Sequence, residues 1–318
     1  MPWDLTSVNE EAILHMEDIS SYVLVTAAYN EGKLIEQTIS SIVSQTVRPK
    51  KWIVVSDGSN DNTDEIVEQY AGRYEFLHLH RVCEDHPRNF AAQVNAINLG
   101  LSLLKGTEYS FVGNIDADIT LDPNYFERLL NEFRMDDQLG IGGGAICERG
   151  RDGVFKDRRG NSTGSVAHAC QLFRRQCFEA IGGAYLPLPY GGPDHYAEIM
   201  ARKSCWRVAS FTDLKVFHHR RTASVGGVLR GWFRQGKMDY SLGTLPLFEA
   251  FKLLRRTLMK PYLVGAIARC AGFLHSYWRR EKRAIPQDVL LYFRNEQRRR
   301  LAQFVSILGQ QTSRVGLE

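Results

Sequence analysis

The sequence is poor in cysteine, with 6 in 318 residues. None of Cys83, Cys147, Cys170, Cys177, Cys205 and Cys270 forms a Cys-x-x-Cys pair or a zinc-ligand spacing, which excludes a zinc ribbon and a dithiol redox motif. No run of about 18 uncharged apolar residues occurs, so no segment qualifies as a simple membrane span. The nearest approach, "TLMKPYLVGAIARCAGFL", is broken by Lys260, Pro261 and Arg269. The polar opening "MPWDLTSVNEEAILHMEDIS" lacks the apolar stretch of a secretory leader, and the expectation is a cytoplasmic chain with reduced thiols. There is no internal repeat and no low-complexity linker. With 10 prolines, 27 glycines, 44% hydrophobic and 24% charged residues, the composition is that of a folded chain, not a disordered one.

What is present is a division of charge. Residues 1 to 219 carry 21 Lys+Arg against 30 Asp+Glu, a balance of −9, and residues 220 to 318 carry 19 against 6, a balance of +13. An acidic body therefore leads into a basic tail, a pattern suited to an anionic surface, either membrane or nucleic acid.

The body alternates strand and helix signals. "SYVLVTAAYNE" is a β-rich apolar run, and "EGKLIEQTISSIVSQ" follows with Leu34, Ile35, Thr38, Ile39, Ile42 and Val43 at helical spacing. "KKWIVVSDGSNDNTDEIVEQYAGRY" repeats the pair, with its helix capped from the polar loop. "FLHLHRV" and "NFAAQVNAINLGLSLL" give a third strand and helix. "YSFVGNIDADI" is a fourth strand, before a helix in "LDPNYFERLLNEFRM" that Asp122 caps and Pro123 enters. Such alternation predicts an α/β fold with a doubly wound, mostly parallel sheet.

In such a sheet ligands gather at the carboxyl ends of the strands. Three ends are chemically unusual: "AAYNE", "SDGSNDNT" and "DAD". Asp116 and Asp118 lie two apart, so an extended chain sends both carboxylates to one face. Two adjacent carboxylates call for a proton or a cation between them, and Mg²⁺ or Mn²⁺ shared with phosphate would serve; a polar turn is the plainer alternative. Asp57 can bind a base or ribose beside Gly58, or simply make an Asx turn. Tyr29 offers a stacking face, or a rim aromatic. Asp194 follows two glycines and a proline in a loop before the helix "HYAEIMAR", as a general base or as a helix cap. Glu198 and Arg202 are spaced to pair on that helix. "VFHHRR" ends a strand-like run with His218 and His219 on opposite faces, either one a ligand to metal or pyrophosphate. Arg174 and Arg175 are phosphate clamps or solvated charge.

The ordered succession "TAAYNE", "VVSDGSNDNT", "NIDADI", "QLFRRQCFEAIGG", "GGPDHYAEIMAR" and "KVFHHR" resembles the family 2 inverting glycosyltransferases, over roughly residues 20 to 222. Within that family it looks closest to bacterial enzymes of cell-surface polysaccharide assembly. The resemblance implies the GT-A nucleotide-sugar-binding fold in residues 1–222, with a nucleotide-binding half at about 20–120 and an acceptor-binding half at about 140–222. It gives Ala28, Tyr29, Glu31 and Asp57 to the nucleotide and Asp116 to the ribose and metal. Asp118 becomes the main metal ligand, Asp194 the catalytic base, and Arg174, His218 and His219 attend pyrophosphate or metal. Where the family has Glu-Asp, this chain has Pro193-Asp194, which drops the neighbouring Glu and keeps the base. The implied cofactor is Mn²⁺ or Mg²⁺, the donor a nucleotide-diphosphate sugar with UDP favoured, and the acceptor a lipid-linked or oligosaccharide hydroxyl.

Residues 223–318 interleave aromatic and aliphatic residues with Arg and Lys, and read as a basic amphipathic helical extension. Helices of that kind lie in a membrane interface with cations toward anionic lipid. That would set the chain at the cytoplasmic face of the cell membrane; packing on the body or a homo-oligomer contact are the rivals. A nucleic-acid-binding role for the tail leaves "DAD", "SDGSND" and Asp194 unexplained, so no nucleic-acid partner is expected. A sugar nucleotidyltransferase would show a Gly-rich basic phosphate loop after the first strand, where "AAYNEG" stands. A degenerate, non-catalytic relative is opposed by the retained Asp116, Asp118 and Asp194.

Overall fold

A computed structural model describes residues 21–82, 90–150, 152–158, 160–220, 227–257 and 262–315. Cys83, the polar N-terminal stretch and the boundary expected at residue 222 lie outside them. The five described cysteines are all unpaired. The chain divides into two compact units, one of Met1–Pro187 with Pro193–Arg221, the other of Leu188–Gly192 with Thr222–Glu318.

In the first unit the elements run β1 (Tyr22–Ala28), α1 (Ile35–Val43), β2 (Lys51–Asp57), α2 (Thr63–Ala71), β3 (Leu77–Val82), α3 (Phe90–Ser102), β4 (Phe111–Ile115), β5 (Ile119–Leu121) and α4 (Tyr125–Met135). They continue with β6 (Leu139–Arg149), β7 (Phe155–Asp157), β8 (Cys170–Arg174), α5 (Arg175–Ala180), α6 (Pro193–Lys203) and β9 (Arg207–His218). The sheet order is β3-β2-β1-β4-β8-β6-β9-β5, with β7 on β6. The first four strands are mutually parallel. β8 enters antiparallel to both β4 and β6, and β5 closes the far edge antiparallel to β9.

The apolar runs of β1, β2 and β4 are buried on both faces, as strands covered by helices on each side must be. On one face Tyr22 stacks on Phe126 at 4.5 Å and Trp52 donates its Nε1–H to Thr26 Oγ1 at 3.0 Å. α1 buries Ile35, Thr38, Ile39, Ile42 and Val43, the stripe expected from its periodicity. Two boundaries differ from expectation. α4 begins at Tyr125 after Asn124, because Asp122 offers its carbonyl to Tyr125 N–H at 3.0 Å in a preceding turn. "NIDADI" is two strands with a turn at Asp116 to Asp118, because the chain leaves β4 to pair β5 with β9 across the sheet. Gly144 marks a register shift where β9 bulges toward β6; a Cβ there would lie 2.5 Å from the Leu214 carbonyl oxygen.

The second unit is helical, as expected: α7 (Val228–Ser241), α8 (Pro246–Thr257), α9 (Tyr262–Trp278) and α10 (Gln287–Val315). α7 and α9 touch backbone to backbone, since a Cβ on Gly236 would sit 1.9 Å from Arg269 O and one on Gly272 1.9 Å from Phe233 O. Inside lies a charged cluster. Arg269 Nε meets Glu249 Oε1 at 2.8 Å, its terminal nitrogen meets Asp239 Oδ2 at 2.6 Å, and Lys252 pairs with Asp239. Arg256, also buried, lies over Trp232 at 3.7 Å. The amphipathic pattern points the tail's cations outward; these two turn in, because the buried carboxylates and the indole face receive them.

Candidate functional site

The loops after β1 and β2 are tied together. Asn30, at φ 54°, donates its N–H to Ser59 Oγ at 3.1 Å and accepts from Asn60 N–H at 2.8 Å through Oδ1. Gly58 turns the chain at φ 70°, a left-handed conformation that favours glycine. These bonds hold Tyr29, 42% exposed, and Asp57, buried, at the ends of adjacent strands. Ala28, also assigned to the nucleotide by the resemblance, is buried in the core. Glu31 N–H donates to Thr63 Oγ1 at 2.8 Å, which anchors the loop to α2.

The turn after β4 is fixed from three sides. Asp116 N–H donates to Ala169 O at 2.9 Å, Thr38 Oγ1 to Ala117 O at 2.8 Å, and His219 N–H to Asp118 O at 3.0 Å. Its two carboxylates meet His218, and one ligand atom from each of Asp116, Asp118 and His218 lies within 4.8 Å of the others. His218 Nε2 is 3.1 Å from Asp118 Oδ1. Burial lowers the His218 imidazole, but Asp118 and Asp116 together raise it above its ordinary value. Burial likewise opposes ionisation of Asp116, yet His168, with Nδ1 3.7 Å from Asp116 Oδ1, and more distant His218 and Arg220 hold that carboxyl below the usual range.

Arg220 completes the positive side. It grips Glu31 with two nitrogens, at 2.9 and 2.5 Å, and sets Nε 3.7 Å from Asp118 Oδ2. Burial nonetheless pushes the Glu31 carboxyl above its ordinary value.

Asp194 lies in the first turn of α6 rather than in a preceding loop. Its Oδ2 accepts the His168 N–H at 3.3 Å. One turn on, buried Glu198 accepts from Val166 N–H at 2.6 Å and Ser165 Oγ at 2.9 Å. Two carboxylates of one helix face thus clamp the segment from Ser165 to His168, and the His168 ring reaches across to Asp116. Glu198 does approach Arg202, at 3.7 Å, but the loop takes its shorter bonds.

Two expectations are corrected. Arg174 faces the protein: it donates to the carbonyls of Leu139, Phe133 and Asp136 at 3.1, 2.6 and 3.1 Å and lies over the rings of Phe111 and Phe133. Its neighbour Arg175 pairs with Glu179 and Glu108. Neither is a phosphate clamp, because carbonyls and aromatic faces inside the fold outbid solvent for Arg174. Arg174→Ala is therefore expected to destabilise the fold by about 2–4 kcal/mol, given three charge-assisted bonds lost, and to leave nucleotide affinity unchanged; a denaturant titration beside a binding isotherm checks both. His219 turns away from the carboxylates, with Nε2 2.9 Å from Thr120 Oγ1 and its ring edge-on to Phe155 at 5.2 Å. The alternation of β9 sends the two histidines apart and brings only His218 to the cluster.

His168, Arg220 and the clamp at Glu198 were not foreseen as site residues. "AHAC" carries no motif, and Arg220 read only as one charge in "HHRR".

The model of the family described as Glycosyl transferase family 2 matches residues 23–182, just over half of the chain. The poly-beta-1,6-N-acetyl-D-glucosamine synthase of Staphylococcus aureus is 28% identical over 134 residues, 42% of this chain and 30% of that protein's length. The Staphylococcus epidermidis synthase is 27% identical over 128 residues. The chain thus matches less than a third of these curated relatives. Among solved structures, the mannosyltransferase PcManGT from Pyrobaculum calidifontis aligns with a TM-score of 0.56 at 16% identity, covering 82% of this chain and 88% of that one. Residues 1–349 of TarS from S. aureus align at 0.51 and 16% identity, covering 81% and 72%. The mixed sheet with its flanking helices is the GT-A fold, and the chain belongs to glycosyl transferase family 2 as a glycosyltransferase.

Proposed function

We propose that this glycosyltransferase moves a sugar, with inversion, from a nucleotide-diphosphate donor, a UDP-sugar first among them, to a hydroxyl of a lipid-linked or oligosaccharide acceptor in cell-surface polysaccharide assembly. The observation that carries the reading is the meeting of Asp116, Asp118 and His218 at one strand edge, with Tyr29 and Asp57 on neighbouring strand ends and Asp194 joined to Asp116 through His168. The polysaccharide setting is suggested by the synthases above. The nucleotide is suggested by TarS structures bound to UDP and to UDP-GlcNAc, against GDP-Man in the mannosyltransferase.

Two carboxylates and an imidazole at this separation suit Mn²⁺ or Mg²⁺, and Mn²⁺ accompanies the donor in the PcManGT structure. A cation bound by Asp118, Asp116 and His218 would neutralise charge on the departing diphosphate. The chain's own residues do the rest. Asp57 and Tyr29 hold the base and ribose, and Arg220 balances the carboxylates around Asp118. Asp194 takes the proton of the acceptor hydroxyl as its oxygen attacks the anomeric carbon from the face opposite the leaving group.

A thermal-shift screen of UDP, GDP, UDP-GlcNAc and GDP-mannose with and without Mn²⁺ tests the donor side. Metal-dependent stabilisation by a uridine nucleotide is expected; none by any nucleotide defeats the reading.

The reading includes peripheral contact with anionic bilayer at the cytoplasmic face. Among the described residues no helix is long and apolar enough to cross a membrane. α9 nonetheless exposes Leu263, Ile267 and Trp278 along one stripe, and α8 exposes Leu247, Phe251 and Leu254. Such faces, on a segment with a balance of +13, match the apolar and anionic layers of a lipid surface. The triple change Leu263→Glu, Ile267→Glu and Trp278→Glu is expected to lower the liposome-bound fraction in flotation more than tenfold. Equal flotation, or a dimer in light scattering that ignores liposomes, rejects the contact.

A further inference from the structure

A second polar feature lies beside Asp194. A cavity of about 80 Å³ is lined by Arg158, Asn161, Ser162, Ser210 and Asp194 and floored by Gly144. A water needs about 10–15 Å³ of such space, so the cavity admits several waters. It is large enough for a carboxylate or phosphate substituent.

Arg158 gives the cavity its sign. Its backbone N–H is used, on Ile146 O at 2.8 Å, but its Nε is buried with no hydrogen-bond partner, and among the described residues no carboxylate pairs with its guanidinium. The neighbouring cations are engaged, Lys156 with Asp152 at 2.6 Å and Lys215 with Asp157 at 2.8 Å. Asp194, in the same cavity, spends its Oδ2 on His168 N–H. Guanidinium has donors only, in a fork that fits a carboxylate or phosphate with two bonds. A buried donor without an acceptor is unfavourable until one arrives.

We propose that the acceptor carries an anionic substituent, carboxylate or phosphate, which Arg158 seats in this cavity so that the adjacent hydroxyl faces Asp194. The inference rests on the assignment of Asp194 as the base and deepens it. Arg158 is a specificity residue for the acceptor and takes no part in donor binding. Its charge also offsets the repulsion that an anionic acceptor meets from Asp194.

The test is calorimetric titration of the full chain, saturated with UDP and Mn²⁺, with three probes: a β-linked N-acetylglucosamine tetramer, the same tetramer ending in glucuronic acid, and the same tetramer bearing a terminal 6-phosphate. At least one charged probe is expected to bind about tenfold to a hundredfold more tightly than the neutral one. Arg158→Gln is expected to erase that difference, Arg158→Lys to keep part of it, and both to leave UDP affinity within about twofold. Preference for the carboxylate or for the phosphate names the substituent. Equal binding of all three probes by the wild type overturns the proposal, as does an Arg158→Gln variant that loses UDP affinity, which would assign the guanidinium to the donor diphosphate. Failure of the wild type to bind UDP at all refutes the donor reading instead, and is seen before any probe is added.

Discussion

Asp118→Asn is expected to lower transfer about a thousandfold or more and to abolish any Mn²⁺-dependent stabilisation by nucleotide. Asp118 is 7% exposed and stands between His218 at 3.1 Å and Arg220 at 3.7 Å. The change preserves size and the backbone bond from His219, so the turn keeps its shape and the loss is one of charge. Charge stabilisation of a leaving diphosphate by a bound cation amounts to several kcal/mol, and each 1.4 kcal/mol is about tenfold in rate. The variant leaves Arg220 and His218 with less negative charge to face, so its nucleotide binding without metal falls far less than its turnover. The decisive measurement pairs initial rates with thermal shifts in the presence and absence of Mn²⁺. Persistence of the metal-dependent shift would remove Asp118 from the metal site.

Asp194→Asn separates the other half of the reaction. The amide oxygen can still accept the His168 N–H, so the clamp on the loop, shared with Glu198, stays closed. What is lost is the capacity to take a proton, worth about a hundredfold to ten-thousandfold. Transfer should fall by that factor while UDP affinity and its metal dependence remain within twofold. Alanine at the same position should be worse than asparagine, since it also frees one end of the segment from Ser165 to His168. Wild-type turnover in Asp194→Asn would end its assignment as the base and, with it, the reason for seating an acceptor beside Arg158.

The parts of the site that local pattern encodes were legible in the sequence. The strand-end positions of Tyr29, Asp57 and "DAD" and the alternation that parts His218 from His219 follow from period and turn composition, and the order of the six motifs points to the family to which the chain belongs. The parts that depend on long-range packing were not. Arg174 shows the limit: a guanidinium after a strand reads equally as solvent-facing or inward, and only the carbonyls of Phe133, Asp136 and Leu139, more than thirty residues upstream, decide it. His168 has no signature because its role comes from two partners, Asp116 and Asp194, that lie 52 and 26 residues away on opposite sides. At Asp116 to Asp118 the spacing of two suits extended chain and turn equally; pairing of β5 with distant β9 decides for the turn. In the tail, amphipathic composition predicted helices, while the inward aim of Arg256 and Arg269 required the buried partners to be known.

The second unit buries the charged residues Asp239, Glu249, Arg256 and Arg269 beside an apolar core that includes Leu242, Phe273 and Phe293, and leaves Leu263, Ile267 and Trp278 exposed on its surface. Its behaviour in a test tube follows from those exposed apolar faces. Added salt, which keeps many basic proteins dispersed, here screens the surface cations that hold copies apart and strengthens the attraction between their apolar faces. Precipitation should therefore begin at modest ionic strength and be reversed by a mild detergent.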